Sequence, residues 1–460
     1  MKAWPEVLNA AIAGKSDETL LQSAAYLAVR RLAGWQPPRF ADVAVDVAAA
    51  EEQRPVSEAA AHRLAEMLAG TYQEFLPEWL GLAATSGRRV PAQVLPDLFD
   101  YAKSHAAVRD LVDAVAGARG RWLAAQNPEW AFGALENLEA AFATGARPAR
   151  VTALASLRRD DPVRARALLE ESWSKESGDD RAALLPALAE GLSPADEAFL
   201  ETALKDRKRD VREAALDLLA RLPESRLVGR MRERVIPLIT TKKGLLGGKL
   251  NVMPPERCDD DMVRDGIEPK PPQGVGEKAW WLSQMVSLVP PSTWPVQIIG
   301  PAASSEWAPA LFKGWYEGTW RFRDERWAEA LLLNSIEDKP ELRMVAVPAG
   351  SLLQCLTPER RDAIIAVAFK RSVEHGALML RFSVNWSLEM SRIFVNNLER
   401  MSRDFAEAAW TAAERHCHPE VHEDLAAIAK GGPSPYVMSL LDRLIPRLQY
   451  RAAMRKELNE

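Results

Sequence analysis

Apolar residues recur at spacings of three and four along almost the whole chain, as in Leu20, Leu21, Ala24, Leu27, Ala28 and Leu32. That period belongs to amphipathic helices. Runs of β-branched residues with period-two alternation are nearly absent, so the pattern predicts an all-α protein. From residue 1 to about 146 the helical segments are cut at Gly34 to Pro38, Gln53 to Pro55, Ser86 to Pro91 and Asn127-Pro128, leaving pieces of ordinary helix length. Tyr72, Phe75, Leu76, Trp79 and Leu80 fall at helical spacing and are read as core.

Between 147 and 238 the pattern repeats. Arg150-Val-Thr-Ala-Leu154-Ala-Ser-Leu157, Arg181-Ala-Ala-Leu-Leu185-Pro-Ala-Leu188 and Arg212-Glu-Ala-Ala-Leu216-Asp-Leu-Leu219 lie in register. Each is followed by a break at Pro162, Pro194 or Pro223 and then by a second apolar stripe, so the unit is helix, turn, helix. Asp161-Pro162 and Ser193-Pro194 read as an N-cap followed by a first-turn proline: the side-chain oxygen takes a free backbone N–H and the proline sits where no donor is needed. Thr357-Pro358 is a further helix start of this kind. A helical hairpin leaves one apolar face uncovered, and stacking neighbours against it builds an α-solenoid with a concave surface. Residues 239–278, with Thr240-Thr-Lys-Lys-Gly244, Met253-Pro-Pro, three successive aspartates and Pro271-Pro272, are expected to form an irregular connector. Helices resume in a Trp-rich region over 279–460.

The third unit, with Asp206, Val211-Arg212, Ala214-Ala215 and Leu216, resembles the HEAT family of helical repeats. The resemblance covers about 90 residues. It implies an all-α fold with HEAT-like α-solenoid repeats in the middle, flanking helical regions, and a role in binding other macromolecules, with no catalytic residue to carry over. Across its length the chain also resembles an uncharacterised bacterial family of helical-repeat proteins encoded beside MoxR-type AAA ATPases and von Willebrand factor A-domain proteins. Arg264-Asp-Gly-Ile267, Gly276-Glu-Lys-Ala-Trp280-Trp-Leu282, Val289-Pro-Pro-x-x-Trp294 and Asn385-Trp386-Ser387-x-x-Met-Ser391 carry that similarity. It implies an assembly linked to such an ATPase.

Composition narrows the classes further. The chain has 460 residues, 47% hydrophobic and 27% charged, with a net charge of −5. That is an ordinary globular balance, and it argues against a surface built throughout for nucleic acid or anionic membrane. No window reaches the roughly 18 uncharged apolar residues of a membrane span, and the N-terminal stretch, broken by Pro5, Glu6 and Asn9, lacks the apolar run of a secretion signal. Cys258, Cys355 and Cys417 lie far apart, which suits free thiols in a reducing cytoplasm.

Candidate chemistry is sparse. His416-Cys417-His418-Pro-Glu-Val-His422 gathers metal-ligand types, but the zinc-protease pattern needs Glu after the first His, and four closed ligands are missing. Gly244-Leu-Leu-Gly-Gly248-Lys249 lacks both the spacing of a phosphate loop and the following Ser or Thr. Asp259, Asp260 and Asp261 lack calcium-loop spacing and are read as a solvated charge run. No cofactor, metal or catalytic group is expected, and the reading is of a protein that is not an enzyme.

Two candidate interaction surfaces remain. From Lys205 to Lys243 the chain carries twelve cationic residues against six acidic ones. Arg207, Lys208, Arg209, Arg212, Arg230 and Arg234 could line one face and neutralise phosphates, bind an acidic protein segment, or solvate the helix edges. Trp307, Trp315, Trp320 and Trp327, at spacings close to whole turns, would form either helix-pair core or an anchor groove for a partner helix. The expectation is a scaffold or adaptor for protein partners, with nucleic-acid binding through 205–243 as the alternative. Phosphate binding should weaken steeply as salt rises, and apolar anchoring should not.

Overall fold

The computed structural model describes residues 25, 28–29, 31, 47–127, 129–130, 135–242, 249–336, 349–401 and 403–459. The expected N-terminal helix, the Leu20 to Leu32 stripe apart from Ala28, the Gly244 to Gly248 loop, Lys243 and the break at Pro340 fall outside them. The chain divides into Met1–Ala50 and Glu51–Glu460, and the elements named here lie in the second unit.

The fold is all-α, with 23 α-helices among the described residues. Among the described residues strand pairing is limited to a parallel contact of Arg54–Pro55 with Arg88–Arg89 and an antiparallel pair, Ile239–Lys242 with Lys249–Val252. Sequence order explains the helices locally. In the helix Arg209–Ala220, Val211, Ala215, Leu218 and Leu219 are buried. These positions are one apolar stripe at the 3.6-residue period, and each buried aliphatic side chain contributes about 1.5–3 kcal/mol. The expected starts are present as capping hydrogen bonds. Asp161 accepts from the Arg164 amide at 2.9 Å, Ser193 and Asp196 form a capping box, and Thr357 accepts from the Arg360 amide at 3.5 Å.

The three register arginines share one job. Arg150 forks onto the carboxylate of Glu176. Arg181 donates to the Glu176 carbonyl at 2.7 Å and reaches Asp206 at 2.8 Å, and Arg212 donates to the carbonyls of Asp206 and Arg207. Each guanidinium thus donates to a carbonyl just before its own helix, that of Phe142 for Arg150, and Arg150 and Arg181 also reach the turn that precedes the next unit's helix. Deeper, Arg158 is fully buried. It forks onto both carboxylate oxygens of Asp196 and donates to the carbonyls of Pro162, Leu188, Glu190 and Gly191.

Within 239–278 the chain forms the antiparallel strand pair and the short helix Asp260–Arg264, and it buries Met262 and Ile267 against the main core. Beyond it, the helices Glu277–Ser287 and Ala308–Phe322 pack closely. Gly314 permits that approach: a β-carbon there would lie 2.6 Å from Val286 Cβ and 2.7 Å from the Ser283 carbonyl. Gly314→Ala should therefore cost about 1–3 kcal/mol by overpacking. A melting temperature equal to wild type would show that the two helices can part without penalty.

Among the described residues, buried apolar side chains form two clusters. The larger runs from Phe142 to Leu448. The smaller spans Val56 to Ala116, includes the Phe75, Leu76, Trp79 and Leu80 stripe, and is completed by Met454 and Leu458. Both are served by the helix Pro435–Asn459, which gives Leu440, Leu441, Leu444 and Leu448 to the first cluster and its last turns to the second. Pro446 lies inside this helix. A proline there forfeits one helical hydrogen bond, shortly before the helix passes from the first cluster, after Leu448, to the second.

Candidate interaction site

The basic run is largely consumed by intramolecular partners. Lys208 pairs with Asp179 and with Asp210. Arg209 bonds to Glu213 at 2.5 Å and Glu268 at 3.2 Å. Arg230 and Arg234 both clamp Asp265, which is 1% exposed. Arg212 is spent on backbone carbonyls, and Arg221, Arg226 and Arg232 pair with Asp217, Glu197 and Glu224. Arg207 is exposed, and its carbonyl receives Arg212. The partners come from sequence positions outside the run, such as Asp179, Glu197, Asp265 and Glu268, as well as within it, so most of these cations are paired inside the chain.

The tryptophans separate by depth. Trp315 and Trp327 are buried, their rings 5.2 Å apart, with Trp294 and Phe312 against Trp315. The indole N–H of Trp327 donates to the Trp294 carbonyl at 3.3 Å. Trp307 is half-buried. Trp320 is 40% exposed, with the Arg323 guanidinium 5.5 Å from its ring centroid. The reason is angular: five residues from Trp315 make about 1.4 turns, so Trp320 is rotated about 140° from the core-facing indole. Arg323 ends the helix Ala308–Phe322 in the left-handed region at φ 52°, and that turn sets the guanidinium over the ring as a cation–π pair.

The His416 to His422 segment sits where the C-terminal helix meets the Glu78 helix, Leu76–Thr85. Arg451 and Arg455 both bind the Glu78 carboxylate, at 2.9 and 2.7 Å. Arg451 also donates to the Cys417 carbonyl at 2.6 Å, and Arg455 Nη1 lies 3.1 Å from His418 Nε2. The His418 amide donates to Ser391 Oγ, and His422 Nδ1 faces the Pro419 carbonyl. Burial raises the Glu78 carboxyl, and the two arginines more than reverse this, holding it below its usual range. Burial and the neighbouring arginines lower both His416 and His418. The Cys417 thiol is pushed up to about 12 by burial, so it stays protonated at neutral pH and is a poor nucleophile. Among the described residues no group of three or more His, Cys, Asp or Glu is placed to hold a metal ion. No described helix is long and apolar enough to cross a membrane.

A cavity of about 590 Å³ lies among Phe99, Val112, Trp130 and Leu138, with Asp110 and Arg159 paired at its wall. Its charged lining is mixed in sign, with Arg109, Arg121 and Arg159 against Asp110, Asp113 and Asp160.

A family model matches residues 2–458, nearly the whole of the chain. The chain belongs to the Family of unknown function (DUF5691). No curated protein matches this DUF5691 chain. The crystal structure of an engineered protein is similar at 12% identity over 85% of this chain and 99% of that one, with a TM-score of 0.25.

In this DUF5691 chain the sequence motifs singled out above have structural duties. Asp265 of Arg264-Asp-Gly-Ile267 is the carboxylate gripped by Arg230 and Arg234, and Gly266, at φ 90°, turns the chain closely past Leu216. The indole N–H of Trp281 donates to the Pro269 carbonyl at 3.0 Å. Asn385 adopts φ 52°, the Trp386 amide donates to the His416 carbonyl at 2.9 Å, and Ser387 caps the next helix by accepting from the Met390 amide. Apart from the local cap at Ser387, these contacts were not visible in the spacing, because they join residues brought together only by folding.

Proposed function

We propose that the chain is a non-enzymatic scaffold or adaptor that binds protein partners, in an assembly linked to a MoxR-type AAA ATPase and a von Willebrand factor A-domain protein, and that it works in the bacterial cytoplasm with its HEAT-like units stacked as a solenoid. The observation that supports this reading is the Trp320–Arg323 pair, a large aromatic left at the surface with a cation over it while Trp315 and Trp327 are packed away. Tryptophan and arginine are the residues most enriched at interface hot spots. The many ion pairs of the 205–234 run favour a protein partner over phosphate, since those cations would have to leave carboxylates to neutralise a nucleic acid backbone.

The test is titration calorimetry of the chain with a purified MoxR-type ATPase and a von Willebrand factor A-domain protein of the same organism, at low and high salt. Binding that persists at high salt and weakens at least about tenfold in Trp320→Ala is expected, a change of about 1.4 kcal/mol. Binding to neither protein, together with nucleic-acid binding that collapses as salt rises, would replace this reading with the phosphate-binding one.

A further inference from the structure

The contact between His418 and Arg455 has only one neutral solution. A guanidinium nitrogen can only donate, so His418 Nε2, 3.1 Å from Arg455 Nη1, must accept, and the imidazole proton must sit on Nδ1. That Nδ1 is buried without a hydrogen-bond partner among the described residues. Protonation of His418 would set N–H against N–H and place a second positive charge beside Arg455.

The groups around the ring come from every element packed there. The C-terminal helix supplies Arg451 and Arg455, the Leu76–Thr85 helix supplies Glu78, the turn Pro419–Val421 supplies Glu420, the preceding helix ends in Arg415 and His416, and Ser391 holds the His418 amide. Arg455 is the link between them, because its Nε and Nη2 are both spent on Glu78. Other straps of the last turns are Arg447 to Glu74, Arg63 to Glu457 and the Ser57 hydroxyl to the Glu457 carbonyl.

From this geometry we propose that His418 is an acid-sensitive latch: its protonation displaces Arg455 from Glu78 and frees the last turns of the Pro435–Asn459 helix from the Val56 to Ala116 cluster. The direction of the effect is fixed by burial. Burial and Arg455 hold the folded His418 below its ordinary value of 6.5, so the unfolded or detached form binds the proton first. The attachment is therefore complete above about pH 6.5 and is lost as the pH falls below it.

Hydrogen exchange of the full chain at about pH 7.5 and about pH 5.5, corrected for intrinsic exchange rates, tests this. Amides of residues 450–458 should lose at least about tenfold more protection in wild type than in His418→Gln, whose amide oxygen can still accept from Arg455 without titrating. An equal loss in both proteins would assign the effect to Glu74, Glu78 or His416 and overturn the proposal, as would no loss in wild type. A second reading stands on wild type alone, by ¹⁵N-histidine labelling of the chain, which has six histidines. His418 should carry its proton on Nδ1 at the higher pH and titrate at the pH where protection is lost. A proton on Nε2, or a titration displaced from that transition, would refute the latch even if His418→Gln failed to fold.

Discussion

Replacing Arg158 by methionine should destabilise the fold by about 3–5 kcal/mol. Arg158 and Asp196 are both fully buried. Removing the guanidinium strands a carboxylate that burial already disfavours and that is kept ionised by the hydrogen bonds of Arg158, Ser193 and Arg166. Four carbonyls, of Pro162, Leu188, Glu190 and Gly191, lose their donor in the same step. Asp196→Asn should cost less, since the amide oxygen still accepts and no net charge is left without hydrogen bonds on either side. Urea unfolding read by circular dichroism gives the comparison. If Arg158→Met moved the midpoint no more than Asp196→Asn, the pair would be one contact among many instead of the junction of these turns.

Trp315→Ala should cost about 3–5 kcal/mol, whereas Trp320→Ala should stay within about 0.5 kcal/mol of wild type. The two residues share a helix and differ in environment. Trp315 is wholly enclosed by Trp294, Phe312 and Trp327, so truncation leaves a cavity that its rigid neighbours cannot fill. Trp320 loses only a partly exposed ring and its stacking with Arg323. Thermal melts of both variants under one set of conditions check this, and the pair matters for function as well. A Trp320→Ala variant that binds a partner poorly is informative because its fold is expected to be intact. Equal losses of stability would mean that Trp320 is a packing residue and would remove it as an anchor.

How much of this was legible in the sequence depended on range. Caps at Asp161, Ser193 and Thr357 were readable because an N-cap bonds within its own first turn. The helical class followed from periodicity for the same local reason. The environment of the basic run was not readable: Arg230 and Arg234 find their carboxylate at Asp265 and Lys208 finds its own at Asp179, each roughly thirty residues away. Charge counted along a window cannot anticipate partners from another helix. The tryptophan spacing divided between its two readings for a different reason: Trp320 lies about 1.4 turns from Trp315 on the same helix and so faces away from the core, while Trp327, on the next helix, returns to it. The Glu78, Arg451, Arg455 and His418 group gave no signal, although an arginine at every fourth position, Arg447, Arg451 and Arg455, marks one face of the C-terminal helix and could have prompted a search for acidic residues four apart, such as Glu74 and Glu78.

The helix that serves both clusters also imposes an order on biosynthesis. Arg63 and its partner Glu457 are 394 residues apart, so while the ribosome is still reading the middle of the message, the early helices stand with Trp79 and Leu80 near an unfilled gap where Met454 and Leu458 belong. Closing a loop of that length comes late and slowly. Until then the uncovered apolar surface is prone to aggregate, and a chain lacking the Pro435–Asn459 helix would leave its first bundle uncovered.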